Sequence, residues 1–171
     1  MTEYKLKILL ICTILLLILW DVPANGVTQE WAKTYDATGA SDEAKDIAVD
    51  SSGNIYVTGW SGGLSGSEYM TVKYDSAGNQ LWTTPYDGPQ VNGNDGAAAI
   101  AVDSSGNCYV TGWSPSNTGN GIDIVTVKYN SLGVQQWASR YNNIGGNDQG
   151  SDIAVDSSDN VYVTGFADNG A

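Results

Sequence analysis

The sequence predicts an all-β fold built from repeated four-stranded antiparallel sheets. Three observations carry this prediction. Ile47–Gly59 (IAVDSSGNIYVTG) returns as Ile100–Gly112 and again as Ile153–Gly165, at a constant offset of 53 residues (100 − 47 and 153 − 100). A fixed period of this size marks one supersecondary unit copied in tandem, a unit that cannot bury its apolar face alone. Within each unit, short β-branched and aromatic runs flank tight-turn chemistry, so the unit reads as two hairpins. No stretch after Ala24 carries a 3.6-residue apolar period, and glycine is scattered throughout, which excludes a helical repeat.

The elements follow in chain order. Met1–Lys7 is a short basic start, and Ile8–Trp20 is a thirteen-residue run, apolar but for Thr13. Val22-Pro23-Ala24 then places small residues for cleavage after Ala24, so residues 1–24 read as a secretory signal peptide whose core is a helix. Such a helix reaches about 20 Å, against a hydrocarbon core of about 30 Å. The alternative is an uncleaved anchor, which would be the chain's only tie to a membrane. Residues 25–46 hold an orphan outer strand, Trp31–Tyr35, and a linker.

The first unit spans 47–99, the second 100–152, and 153–171 is the first half of a third. In the first unit, Ile47–Asp50 and Ile55–Thr58 flank the turn Asp50-Ser-Ser-Gly-Asn54, and Thr71–Tyr74 and Gln80–Trp82 flank Asp75-Ser-Ala-Gly-Asn79. Asp and Ser accept local backbone bonds in such turns, and Gly permits positive φ. Strand two carries Ile55 and Val57 on one face and Tyr56 and Thr58 on the other. A sheet with large residues on both faces must be covered on both. Four-stranded sheets stacked face to face around an axis make a β-propeller. The expected architecture is thus an incomplete arc of about two and a half blades following the signal helix. A closed ring takes roughly 4–8 blades, so the chain reads as part of a longer protein, the alternative being several chains assembled into one ring.

Composition narrows the function. The net charge is −12 and the seven basic residues form no cluster, which argues against nucleic acid and anionic lipid as partners. There is no histidine, so Ser-His-Asp and Cys-His catalysis and the usual zinc sites are excluded. Cys108, the one cysteine beyond residue 24, takes the place of Ile55 and Val161 in the other copies and reads as a small buried hydrophobe.

Asp46–Gly59 (DIAVDSSGNIYVTG) followed by Val72–Trp82 (VKYDSAGNQLW) resembles the SBBP family of β-propeller repeats, over nearly all of 31–171. The resemblance implies a bacterial or archaeal exported or surface protein with a propeller domain. The family is defined by architecture and implies no shared catalytic set.

Function is expected on the rim opposite the tight turns, where the connections vary in length and sequence. Trp60, Trp113 and Phe166 occupy one equivalent place after the strand-two glycine, and Glu68 and Asp123 form a second equivalent pair. Aromatic residues beside Gly/Ser/Asn segments can stack on sugars or anchor a protein, and the competing reading is that they pack between blades. Asp42, Asp95 and Asp148 also recur. They are weak candidates for metal, calcium being the cation considered, and more ordinary loop-backbone acceptors. Trp31, Trp82 and Trp137, with Tyr56, Tyr109 and Tyr162, are assigned to blade packing. The functional expectation is a non-catalytic, secreted or surface-bound module for a protein or glycan partner, with no cofactor. The alternative is part of a propeller enzyme (glycosidase, lyase or quinoprotein) whose active residues lie in other blades.

Overall fold

A computed structural model of the chain describes residues 4–9, 27–36, 41–63, 66–90, 93–116, 121–143 and 146–168. Two strands come first, β1 (Tyr4–Leu9) and β2 (Val27–Lys33), paired in parallel. β1 takes in the basic start and the first two residues of the expected signal helix, Ile8 and Leu9. β2 belongs to no blade sheet, and the open edge of such a strand is a template for any extended apolar segment. The rest of the apolar run and the cleavage site after Ala24 lie outside the described residues. Among those described, no helix is long and apolar enough to cross a membrane.

The first blade is β3 (Asp42–Val49), β4 (Ile55–Gly63), β5 (Gly66–Tyr74) and β6 (Gln80–Tyr86). The second is β7 (Gly96–Val102), β8 (Cys108–Pro115), β9 (Ile122–Tyr129) and β10 (Gln135–Tyr141). Each is an antiparallel meander in sequence order, and β11 (Asp148–Val155) with β12 (Val161–Ala167) forms a two-stranded third unit. The first strands begin earlier than the apolar runs announce. Each carries a bulge, at Ala44/Asp46, Ala97/Ala99 and Gly150/Asp152. A bulge breaks the period-two alternation, so the residues before Ile47, Ile100 and Ile153 read as linker although they pair. Strand two also runs on through Trp60 to Gly63, and through Trp113 to Pro115. Trp60 and Trp113 are strand-end residues, not loop residues.

The turns show why Asp opens them. Asp50 Oδ1 accepts the amides of Ser52 and Asn54, both at 2.9 Å, while its Oδ2 accepts Asn54 Nδ2 at 2.7 Å. The same set forms at Asp103 and Asp156. Gly53 and Gly106 adopt φ of 79° and 76°, and Asp159 holds the equivalent place at 62°.

The sheets stack face to face. Tyr56 and Tyr69, with Ala48, Trp82 and Tyr86, pack from the first blade on Ile100, Cys108, Val110, Val125, Val127 and Tyr129 of the second. Full burial of a valine here contributes about 1.5–3 kcal/mol. The opposite face of strand two, Ile55 and Val57 with Met70, Val72 and Tyr74, is covered by Trp31 and Tyr35. Tyr109 and Ala99 pack against Ile153, Val155 and Val161 of the third unit. β3, β7 and β11 are neighbours whereas β6 and β10 stand apart, so the sheets fan from their first strands as propeller blades do. Cys108 is fully buried within this stack, and burial pushes its thiol up to about 12.

Hydrogen bonds fix the joint. Tyr56 Oη donates to Gly106 O (3.0 Å), Tyr69 Oη to Val125 O (3.2 Å) and Trp82 Nε1 to Ser131 O (3.1 Å). Lys73 Nζ reaches the same Ser131 carbonyl at 3.3 Å while lying 4.6 Å from the Tyr56 ring centroid. Ile100 N donates to Asp46 Oδ2 at 2.8 Å between the two first strands.

Candidate functional site

The strand-two glycines set the site's geometry. Gly59 and Gly112 pass so close to the backbone of the first strand that a side chain there would overlap Glu43 O or Gly96 O. One residue further, each aromatic stands opposite a first-strand partner: Trp60 faces Glu43, Trp113 faces Gly96 and Phe166 faces Gln149. Because residue 96 has no side chain, the Trp113 indole lies directly over β7, where a Cβ would strike its six-membered ring. Trp60 is held differently. Its Nε1 donates to Glu43 Oε2 (3.2 Å), and Lys45 Nζ bonds Glu43 Oε1 (2.7 Å). That bond from Lys45, ahead of the weaker pull from Trp60, lowers the Glu43 pKa.

The two indoles line one cleft of about 360 Å³, together with Gly62, Gly63, Gly66, Ser67 and Asn94. A bridge between the blades supports it. Ser67 and Asn94 pair as an isolated parallel bridge, Asp95 N donates to Ser67 O (2.8 Å), and Ser67 Oγ donates to Asp95 O (2.9 Å). The cleft therefore offers two half-exposed aromatic surfaces, a hydroxyl, an amide side chain and a glycine-lined floor.

Charged groups are buried beside the bridge. Asp123 is 1% exposed and its Oδ2 accepts Arg140 Nη1 at 2.8 Å. Arg140 also bonds Ser114 O (2.8 Å) and Ser114 Oγ (2.7 Å). β6 offers Glu68 no such cation, since Pro85 stands where Arg140 does in the second blade. Burial first, then the charges of Asp87 and Asp95, raises the Glu68 pKa. Burial likewise raises that of Asp95, against the pull of the Ser114 hydroxyl and the Gly88 amide.

The structure brings Trp60 and Trp113 together and leaves Phe166 exposed on the third unit. Glu68 and Asp123 lie on β5 and β9, opposite Ser61 and Ser114. Asp148 accepts Asn143 N at 2.7 Å and Asp168 N at 3.1 Å, so it pins the connection between units. Asp42 and Asp95 are buried at the equivalent places. Among the described residues, no group of three or more His, Cys, Asp or Glu is arranged to hold a metal ion. Trp82, Tyr56 and Tyr109 lie within the stack, Trp31 covers the first blade, and Trp137 and Tyr162 face outward. Sequence reasoning did not single out Gly62, Gly63, Gly66, Ser67, Asn94 or Arg140. The close spacing of the three glycines was the available signal for the cleft floor.

Four-stranded antiparallel meanders stacked face to face and fanning from their first strands define a β-propeller segment. The SBBP beta-propeller repeat family profile matches residues 30–64 and 136–169. No curated protein matches the chain. Among solved structures it is similar to a fucose lectin from Kordia zhangzhouensis in complex with methyl-fucoside, at 18% identity and a TM-score of 0.39, over 71% of this chain and 82% of that one.

Proposed function

We propose that this propeller segment is a non-catalytic binding module, exported and held at the cell surface, that takes an uncharged saccharide in the cleft between Trp60 and Trp113. The observation that carries the reading is the convergence of two indoles from successive blades on one space, beside Ser67 and Asn94. A sugar ring offers an apolar C–H face to an indole and hydroxyls to the flanking polar groups. Each aromatic contact of this kind is worth about 0.5–1.5 kcal/mol beyond area burial. A volume of about 360 Å³ suits a small ligand, for which pockets run to about 300–1,000 Å³, better than a protein surface. The net charge of −12, Glu43 on the Trp60 indole and Glu68 next to Ser67 oppose uronic or sulfated sugars. Export rests on the basic start and apolar run of residues 1–24.

The test is titration calorimetry against neutral and acidic oligosaccharides, guided by a glycan array. Binding of a neutral glycan should weaken at least tenfold in Trp60→Ala and in Trp113→Ala, with the fold retained by circular dichroism. Undiminished binding by the double variant would overturn the assignment of this cleft. Fractionation of expressing cells checks the location, and a cytoplasmic product would remove it.

A further inference from the structure

The bridge beneath the cleft carries a carboxyl whose bonding is incomplete. Asp95 is 1% exposed, and neither of its carboxylate oxygens has a hydrogen-bond partner among the described residues. Its counterpart in the third unit is bonded on both oxygens: Asp148 accepts Asp168 N on Oδ1 (3.1 Å) and Asn143 N on Oδ2 (2.7 Å). In the second blade Pro115 stands in the place of Asp168, and proline has no N–H to offer. Gly88 stands in the place of Asn143, and its amide and the Ser114 hydroxyl lie close by without closing a bond. A Cβ on Gly88 would stand 2.5 Å from Asp95 Oδ1, so the space around the carboxyl is tight.

The surroundings oppose a charge at this place. Glu68 on β5 and Asp87, just beyond β6, face Asp95 as like charges. At the next joint Asn142 stands in the place of Asp87. Tyr69 and Tyr86 also face Asp95 and stay neutral, burial raising both. Arg140 on β10 is the opposing cation, but Asp123 on β9 already holds it at 2.8 Å. The repulsion acts across the bridge itself. Asp95 N donates to Ser67 O and Ser67 Oγ donates to Asp95 O, while Glu68 follows Ser67 in the chain. Charge on residues 68 and 95 therefore pushes apart the two segments that the bridge joins.

We propose that Asp95 is an acid-operated latch of the joint: on taking up one proton it secures the bridge from Ser67 to Asn94 and Asp95, and so draws the first two blades together beneath Trp60 and Trp113. A neutral carboxyl no longer repels Glu68 or Asp87, and its O–H can donate to Ser114 Oγ. Such a group contributes its full stability below the unfolded carboxyl value, about 4, and loses it as pH rises through the folded one, which lies higher. The joint is thus firmest in mild acid, above the range in which the Asp-led turns lose their carboxylates. Its consequence for ligand, tighter saccharide binding in mild acid, rests on the function proposed above, whereas the latch itself does not.

The experiment reads the protection of the Asp95 amide against hydrogen exchange in the intact chain, corrected for the intrinsic pH dependence of exchange. Protection should rise about threefold or more between about pH 7 and about pH 4.5. Asp95→Asn, an uncharged isostere, should show the acid level at both pH values. Pro115→Ala reaches the same end by another route: it returns an amide to the ionised carboxyl, so protection at neutral pH should rise and the slope flatten. An unchanged slope in both variants would overturn the proposal. So would loss of the slope in Glu68→Gln with Asp95→Asn unaffected, which assigns the proton to Glu68. A gain in protection on adding calcium at neutral pH, abolished by Asp95→Asn, would overturn it too and give the carboxyl to a metal ion. Calorimetry with a neutral glycan is a separate arm, its affinity expected to rise about threefold in acid for the wild type and not for Asp95→Asn. No glycan binding at either pH, with protection still pH-dependent, would refute the saccharide reading and leave the latch standing.

Discussion

Trp82 lies flat against Gly133, a residue of the next blade held at φ 80°. The contact has two requirements, left-handed backbone and no side chain, and glycine alone meets both. Gly53, at φ 79°, meets only the first, since a Cβ there would touch nothing closer than Ser76 Cβ at 3.6 Å.

Substitution should separate the two requirements. Gly53→Ala should cost about 1–2 kcal/mol for the left-handed conformation. Gly133→Ala should cost about 2–4 kcal/mol, because the indole must also shift. Asp159 already occupies the Gly53 place at φ 62°, so Gly53→Asp should fold while Gly133→Asp should not. Urea midpoints decide it, and equal costs at the two glycines would remove the indole from the joint.

Acid should loosen the turns. At Asp156 the hydrogen bonds from Asn160, then those from Ser158 and Tyr162, hold the carboxyl down to about 2 from the ordinary 3.8. At Asp50 and Asp103 burial works against ionisation, but bonds from Asn54 with Tyr56, and from Asn107 with Tyr109, outweigh it and lower both. A depressed carboxyl stabilises the fold above its unfolded pKa and loses that contribution as pH falls through the folded one. The stability these turns contribute should therefore be constant above about pH 4 and be lost toward about pH 2, whereas Glu68 and Asp95, with raised pKa values, gain stability as they protonate. In Asp50→Asn with Asp103→Asn the slope in that window should flatten, and an unchanged slope would place the acid sensitivity elsewhere.

The Thr111–Thr126 pair is buried, Thr111 fully and Thr126 nearly so. Thr111→Val should strand the Thr126 hydroxyl and cost about 1–3 kcal/mol, whereas the double valine variant should lie close to wild type. A double-mutant cycle from denaturation curves reads the coupling, and additive losses would show that the hydroxyls act independently.

Arg140→Ala should be the most damaging exposed-side substitution in the second blade. It leaves Asp123, 1% exposed, without its cation, while Asp123 Oδ1 already lacks a partner among the described residues. The expected loss is about 3–5 kcal/mol. Adding Asp123→Asn should restore part of it, and thermal unfolding of the single and double variants checks the order.

Much of the architecture is written in residues 47–171, because a repeated pattern states its strands and turns more than once. The hairpins, the Asp-led turns and the two-faced strand two stand in the structure as read. The bulges hid the start of each first strand, since a skipped residue erases the alternation that marks pairing. Signal-like residues 4–9 pair with β2, an outcome set by an open edge and not by local pattern. The cleft was half legible. Trp60 and Trp113 were visible as a recurring aromatic place, but their convergence depends on Gly96, whose significance is the side chain it does not have. Ser67 and Asn94 meet only through the stacking of two blades, which no local window contains. Arg140 was invisible for a related reason: it stands where the first blade has proline, so the period gave no hint of it.

Each of the two complete units, 47–99 and 100–152, carries an indole and a glycine turn, and Trp31 and Trp82 each reach the turn of the unit that follows them. A tandem gene of this kind can gain or lose whole periods by unequal recombination without inventing a new contact. Ring size in such lineages is then free to drift, and the cleft chemistry can diversify copy by copy while the seam stays constant.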